Sequence, residues 1–323
     1  MIVRVKSLEF FFYFLISLFY GYIFILIPHH YFKDRANYLL YAENYDFFIS
    51  LKNGSSYLTG EVLFLYINKF FSIFFSPENI VYLFVFFINF SLCFVFFYSY
   101  KRRIFPFLIL LAYFLLPFGF SYQLGSLRQS LAISIFLFSV CYIRKINIFL
   151  IVISIILGFI HTSFFILTLF LVADYIFLKF FSEKKIFYRI GLQLFLAIIL
   201  GLFLSFISNL FSVNKLDDYL EYDSGGGLFF LFFIPFFIAN FYRYYKSKTV
   251  DYFVFLSIIG VLIYVVLYFL SPISGRVITI FLPFIFLSLT NRIDIINICL
   301  LIYSLVVGSW LFFNGGYMAI MNI

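Results

Sequence analysis

Long apolar runs separated by short polar connections recur along the whole sequence and constrain its fold more than any other feature. A helix needs about 20 apolar residues to cross the hydrocarbon core of a bilayer, and somewhat shorter runs are tolerated. Only 11% of the residues are charged and 65% are hydrophobic, whereas a soluble domain carries about 25% charged residues. So much apolar surface cannot be buried inside one water-soluble globule. The sequence therefore predicts an all-α polytopic integral membrane protein with about 11 transmembrane helices. The predicted spans are residues 8–27, 79–99, 104–121, 127–143, 146–160, 162–181, 190–211, 228–242, 252–270, 277–290 and 295–313.

Two longer polar connections interrupt this pattern, at residues 28–60 and 212–227. Neither is large enough to be a separate soluble domain, and no linker or internal repeat is visible in the sequence. We therefore expect one membrane domain over residues 1–323, with both connections on the outer side of the membrane.

The basic residues indicate how the chain is oriented. A net charge of +8 in a soluble protein suggests nucleic acid, but the basic residues of membrane proteins collect in cytoplasmic loops. After residue 100, 13 basic residues fall at span ends on one side, and only Arg128, Lys215 and Arg276 fall on the other. We therefore place the N-terminus and these 13 residues in the cytoplasm and predict no nucleic-acid partner. The 13 are Lys101, Arg102, Arg103, Arg144, Lys145, Lys179, Lys184, Lys185, Arg189, Arg243, Lys246, Lys248 and Arg292.

Residues 61–75 form an apolar segment that does not fit this count. As a helix the segment would be only about 22 Å long, which is less than the roughly 30 Å of the hydrocarbon core. It begins at Glu61 and contains Asn68 and Lys69. If it crossed the membrane, every later loop would change sides. We therefore predict a re-entrant or surface helix on the outer side.

Three ionisable residues near span ends at the predicted outer face are candidates for binding an anion. Arg128 and Arg276 both violate the orientation bias, and a guanidinium has a fork of donors that matches phosphate oxygens. Together they predict an anion clamp, although a lone arginine at a span end can simply extend its side chain toward water. His161 lies between two apolar runs, where it is a candidate phosphate or sugar ligand, a proton acceptor, or only a hydrogen-bonded residue at a helix junction.

The first outer loop combines carboxylates with aromatic residues. Asp34 and Arg35 are followed by Tyr38, and this composition suits carbohydrate, because carboxylates accept hydrogen bonds from hydroxyls and rings stack on sugars. The alternative is a solvated amphipathic helix. Glu61, at the start of the re-entrant segment, is a second candidate carboxylate, or else it stabilises the helix end by its charge.

The sequence lacks the common signatures of cofactor and metal chemistry. It contains no phosphate-binding glycine-rich loop, no HExxH, no GxSxG and no Asp-x-Asp pair. We therefore expect no cofactor and no nucleotide-sugar enzyme with a metal-chelating Asp-x-Asp pair, and if the protein uses a glycosyl donor, we expect a lipid-linked one.

The order of the polar motifs resembles the EpsG-like, Wzy-type bacterial polysaccharide polymerases. The resemblance covers residues 30–180 well, and beyond them it extends to the hydropathy and to Arg276. Where such proteins usually have Glu-Pro-Gly-Phe, this chain has Glu61-Val62-Leu63-Phe64. The motifs are Asp34-x-x-x-Tyr38, Glu61 before an apolar segment, Leu127-Arg128-Gln129-Ser130-Leu131-Ala132, and Ile160-His161-Thr162-Ser163.

This resemblance implies a glycosyltransferase of the GT-C type in the inner membrane of bacteria that make O-antigen, capsule or exopolysaccharide. Such enzymes move a growing glycan from undecaprenyl pyrophosphate onto a lipid-linked repeat unit at the periplasmic face. The implied partners are therefore this lipid-linked oligosaccharide, as donor and acceptor, the membrane lipid and a regulator of chain length. A flippase for lipid-linked glycans, an O-antigen ligase and an acyltransferase are the alternatives.

The resemblance also suggests roles for the candidate residues. Arg128 and Arg276 would bind the pyrophosphate, and Asp34 or Glu61 would be the base. His161 would be an alternative base or a third phosphate contact, and no metal is needed. The residues expected to contact the glycan are Arg35, Tyr38 and Gln129.

Overall fold

A computed structural model describes residues 7–52, 60–99, 105–143, 145–181, 186–211, 229–246, 251–270, 274–290, 294–315, 318 and 321. The regular structure among these residues is helical, with one isolated bridge between Phe32 and Met321. The predicted all-α fold is confirmed. The helices are α1 (Ser7–Ile25), α2 (Arg35–Glu43), α3 (Tyr45–Ser50), α4 (Val62–Phe71), α5 (Pro77–Ser99), α6 (Phe105–Phe114), α7 (Pro117–Phe120), α8 (Leu127–Ile143), α9 (Ile148–Gly158), α10 (Ser163–Phe180), α11 (Ile186–Phe211), α12 (Ile234–Lys246), α13 (Tyr252–Leu270), α14 (Ser274–Ser288) and α15 (Ile295–Phe313).

Each predicted span coincides with helical structure, and the membrane character of the chain follows from helix length and composition. Within the described residues, six helices (α1, α5, α10, α11, α13 and α15) contain apolar stretches long enough to cross a membrane. The count is seven if the bent pair α6–α7 is one span, and α4, α8, α9 and α14 are shorter apolar helices. The total of about 11 spans and the re-entrant placement of α4 stay predictions.

Polar side chains define where several of these apolar helices begin. The side chain of Asn147 accepts a hydrogen bond from the third backbone N–H of α9, at 3.0 Å. The carboxylate of Asp251 accepts from the second backbone N–H of α13 at 2.9 Å, and that of Asp294 accepts from the third backbone N–H of α15 at 2.8 Å. Each cap satisfies a backbone donor that has no partner inside the helix.

The helices form two compact units. The first comprises Met1–Thr168, Thr290–Ile293 and Leu301–Ile323, and the second comprises Leu169–Leu289 and Asp294–Leu300. In the first unit α5 packs against α1, α2 and α8, and α3 packs against α4. In the second, α13 packs against α11, α12 and α14. The single membrane domain stays a prediction, and the outer connection 212–227 lies outside the described residues.

A sharp bend divides the segment that was predicted as one span over 104–121. Helices α6 and α7 meet at an angle of 96°, so this segment is not a straight helix. Leu116 is extended at the break because the ring of Pro117 disfavours helical backbone in the residue before it. Gly119 allows the chain to turn back closely, since a Cβ there would lie only 1.8 Å from the carbonyl oxygen of Tyr113.

A π-helical turn, Ser121–Gly125, follows α7 and leads directly into α8. Side chains from neighbouring helices bind the polar groups that this irregular turn leaves free. The amide of Asn89 on α5 donates to the Gln123 carbonyl oxygen at 3.0 Å, and the Tyr20 hydroxyl on α1 donates to the Gln123 side chain at 2.7 Å. Irregular backbone is tolerated at membrane depth only with such partners. The turn therefore holds the start of α8 in a defined place.

Candidate functional site

The first unit brings together the start of α4, the start of α8 and the connection between α9 and α10. The N–H of Leu63 donates to the carbonyl oxygen of Phe159 at 3.0 Å, which ties α4 to that connection. Glu61 immediately precedes α4 and has φ 53° and ψ 43°. It is the one residue other than glycine with a positive φ among the described residues, and such backbone costs about 1–3 kcal/mol. The strained turn directs the Glu61 carboxylate back toward the connection.

Glu61 is the centre of a cluster of polar groups. Its Oε2 forms an ion pair with Nη1 of Arg128. Its Oε1 accepts a long hydrogen bond from the backbone N–H of Thr162 at 3.4 Å and lies 3.6 Å from Nε2 of His161. Glu61 and His161 are buried, whereas about a third of the Arg128 side chain is exposed. We call these three residues the Glu61–Arg128–His161 cluster.

The second ring nitrogen of His161 contacts a hydroxyl group. Its Nδ1 lies 2.6 Å from Oγ of Ser163, and both side chains are buried. A carboxylate only accepts hydrogen bonds, so the neutral imidazole is best placed with its proton on Nε2, toward Glu61. The Ser163 hydroxyl then donates to Nδ1, and the imidazole is fixed between Ser163 and Glu61.

Two tyrosine rings of α2 flank the guanidinium of Arg128. Its Cζ lies 5.9 Å from the ring centroid of Tyr38 and 5.2 Å from that of Tyr41. These distances are within the range of cation–π attraction, which uses none of the arginine N–H donors. Burial raises the pKa of the Tyr38 phenol, and the nearby Arg128 cation opposes that rise, so the phenol stays neutral at physiological pH. The two rings and a side-chain hydrogen bond with Tyr38 therefore hold the guanidinium in place.

Arg35 connects α2 to the turn before α8. Its side chain is only 1% exposed, and its Nε donates to the carbonyl oxygen of Leu124 at 2.9 Å. Its Nη1 donates to Nδ1 of His29 at 3.2 Å, and its Cζ lies 4.9 Å from the centroid of the Phe32 ring. Burial lowers the pKa of Arg35 to about 10, which still leaves it cationic at neutral pH. Arg35 thus fixes the helix that carries Tyr38 relative to the turn that precedes Arg128.

His29 should make the stability of the protein depend on pH. Burial, followed by the neighbouring Arg35 cation, lowers the pKa of His29 from 6.5 to about 4, against the opposing effect of Glu78. As the pH falls from 6.5 toward 4, His29 becomes protonated in the unfolded chain but stays neutral in the folded chain. The free energy of unfolding should therefore decrease across this window. His29→Asn should flatten the decrease, as measured by unfolding temperature against pH. His30→Asn is the matched control at an exposed neighbour that packs on Tyr31, and an equal flattening there would contradict the assignment.

The structure also describes the other predicted site residues, Asp34, Gln129 and Arg276. Asp34 is exposed at the start of α2, where its side chain makes no capping hydrogen bond, and Gln129 is buried in the first turn of α8. Arg276 is exposed in the first turn of α14, in the second unit. The predicted roles of all three, and the contact of Arg35 with glycan, stay predictions. The sequence analysis assigned no role to Ser163, although Ser163 lies two residues from His161, which it did select.

Metal ligands do not cluster in the part of the chain that the structure describes. No group of three or more His, Cys, Asp or Glu residues there is arranged to hold a metal ion. The Glu61–Arg128–His161 cluster itself combines a permanent cation, a carboxylate and an imidazole.

This all-α membrane protein holds a buried carboxylate, a buried histidine and a partly exposed arginine at one helix junction. It therefore belongs to the class of polytopic membrane proteins with an internal polar site. A family model narrows this class, because the EpsG family matches residues 10–322, which is nearly the whole chain. The chain therefore belongs to the EpsG family, and this membership indicates polysaccharide biosynthesis by a glycosyltransferase-like polymerase. No curated protein and no solved structure matches the chain.

Proposed function

We propose that this protein is a polysaccharide polymerase of the bacterial inner membrane. It transfers a growing glycan from undecaprenyl pyrophosphate onto a lipid-linked repeat unit at the periplasmic face. Membership of the EpsG family supports polymerase activity. We assign the reaction to the Glu61–Arg128–His161 cluster because Glu61 and Arg128 form an ion pair there beside His161.

The proposed reaction is a substitution at the anomeric carbon of the growing glycan. The hydroxyl oxygen of the acceptor sugar forms a bond to that carbon, and the bond from the carbon to the pyrophosphate oxygen breaks. The bonding electrons leave with the lipid pyrophosphate, and the hydroxyl proton passes to a base on the protein. The products are the lengthened glycan on the acceptor carrier and free lipid pyrophosphate.

The cluster supplies the two groups that this reaction needs. Arg128 balances the charge that develops on the pyrophosphate, and it can do so without a metal ion because its own charge is permanent. Glu61 is preferred as the base over Asp34, because Glu61 lies against Arg128 whereas Asp34 is exposed at the start of α2. His161 then orients Glu61 from the other carboxylate oxygen, Oε1.

Glycan gel analysis of a strain that lacks this gene tests the proposal. A strain without the polymerase should retain single repeat units and lose the ladder of longer chains. A strain without a flippase would lose both, and a strain without a ligase would accumulate long chains on the carrier lipid. Either of these last two results would replace the proposed function.

A further inference from the structure

The positive charge of Arg128 is already balanced before any substrate arrives. It forms an ion pair with the Glu61 carboxylate, so the two charges offset each other. An anionic donor therefore has to compete with a carboxylate that is already bound to the arginine. This competition matters for the mechanism because the same carboxylate is the proposed base.

The two partners differ in how an incoming ligand reaches them. About a third of the Arg128 side chain is exposed, whereas 11% of the Glu61 side chain is. The Nε–H of Arg128 is enclosed without an acceptor among the described residues, and the ion pair uses Nη1 alone. A guanidinium has five donors arranged in a fork, so Arg128 retains donors that match the oxygens of a phosphate.

Both partners have supports that survive the loss of the ion pair. The rings of Tyr38 and Tyr41 stay beside the Arg128 guanidinium, and Tyr38 also forms a side-chain hydrogen bond with it. The N–H of Thr162 and the imidazole of His161 stay beside Oε1 of Glu61. The pair can therefore separate by a small movement of the arginine head group while both side chains keep their places.

From these contacts we propose that the pyrophosphate of the donor displaces the Glu61 carboxylate from its ion pair with Arg128. This exchange leaves the Glu61 carboxylate able to accept the hydroxyl proton. The inference rests on the proposed function. A pyrophosphate carries more negative charge than a carboxylate and accepts two parallel bonds from the fork, so it competes effectively for the arginine. A carboxylate that loses a neighbouring cation holds protons more tightly. The base is thus activated only when the donor is bound.

Binding of inorganic pyrophosphate to the purified full-length protein in detergent tests this exchange, with isothermal titration calorimetry as the measurement. Glu61→Gln removes the competitor but keeps the shape of the side chain, so this variant should bind pyrophosphate about tenfold more tightly than the wild type. Arg128→Gln should bind at least about tenfold more weakly. The double variant should resemble Arg128→Gln. Unchanged or weaker binding by Glu61→Gln would overturn the proposal.

Two controls keep the result specific. Glu43→Gln removes the same charge from an exposed position at the end of α2, so a comparable gain there would mean that general electrostatics, and not the exchange, had raised the affinity. If Glu61→Gln does not elute as a folded protein, Glu61→Asp is used instead. It shortens the side chain by one methylene and should give a smaller gain in affinity, and no gain would again overturn the proposal.

The calorimetric test of the exchange can fail or succeed independently of the gel test of the proposed polymerase function. Calorimetry with inorganic pyrophosphate requires no polymerisation, whereas the glycan gel reports polymerisation alone. If the ladder is lost in the deletion strain but Glu61→Gln shows no gain in affinity, only the exchange fails. If the gain is observed but the ladder persists in the deletion strain, the proposed polymerase function fails and the exchange describes some other anionic ligand.

Discussion

Cells in which Arg128 is replaced by glutamine should lose the long-chain glycan ladder and retain single repeat units. Glutamine removes the one permanent cation of the Glu61–Arg128–His161 cluster and leaves the buried Glu61 carboxylate without its ion-pair partner. The loss of one group that stabilises a developing oxyanion costs about 100- to 1000-fold in rate. Arg128→Lys should recover only part of this loss, because the ammonium keeps the charge but lacks the planar fork. The measurement is the distribution of chain lengths on glycan gels, normalised to the amount of membrane protein.

Lys69 offers a matched control for Arg128 in the same unit. Its ammonium pairs with Asp46 at 2.6 Å, but both side chains are at least half exposed. Exposed ion pairs contribute about 0–1 kcal/mol to stability, so Lys69→Gln should leave the ladder intact. If Arg128→Gln restores wild-type chain lengths, or if Lys69→Gln is equally damaging, Arg128 has no special role in the reaction.

Helix positions were predictable from the sequence because hydrophobicity and length alone select segments that can lie in a membrane. Hydrophobicity and length could not reveal the bend between α6 and α7, since Leu115 and Leu116 are as apolar as their neighbours. Pro117 was the available signal, because proline disfavours helical backbone in the residue before it. The bend matters because it sets the entry into α8 and therefore the position of Arg128.

The residues of the site were predictable as types, but their partners were not. Arg128, Glu61 and His161 could be selected because polar side chains near apolar runs are costly and therefore informative. The ion pair of Arg128 with Glu61, which lies far away in the sequence, was not predicted, and the joint role of Arg128 and Arg276 stays a prediction. The burial of the Arg35 guanidinium against a backbone carbonyl group was not predicted either, and its contact with glycan stays a prediction. The sequence of a polar loop carries little information about which of its side chains fold inward.

The second unit contains a buried ion pair that was not predicted, because Arg189 was interpreted only as an orientation signal. Nε and Nη2 of Arg189 donate to the two oxygens of Asp174, each at 2.5 Å, and Nη1 donates to the Tyr244 hydroxyl at 2.9 Å. The guanidinium Cζ lies 3.4 Å from the centroid of the Phe255 ring. The side chains of Arg189 and Asp174 are 3% and 1% exposed. The pair therefore connects α10, α11, α12 and α13 inside this unit.

Breaking this pair from one side should destabilise the protein strongly. Asp174→Asn leaves the Arg189 charge buried without a counter-ion, which costs about 3–5 kcal/mol. We expect a large fall in the unfolding temperature in detergent, followed by the loss of the monodisperse peak in size-exclusion chromatography. Asp294→Asn is the matched control, because Asp294 pairs with Arg243 in the same unit but is 37% exposed, and asparagine preserves its capping of α15.

A double replacement separates the loss of the interaction from the burial of an unpaired charge. Asp174→Leu combined with Arg189→Met removes both charges and keeps apolar side chains of similar length. Paired replacements of this kind are often neutral or stabilising, so the double variant should unfold at a higher temperature than Asp174→Asn. If the double variant is the less stable of the two, the cost lies in the specific hydrogen bonds to Asp174 and Tyr244. If Asp174→Asn is no less stable than Asp294→Asn, the buried pair does not hold the second unit together.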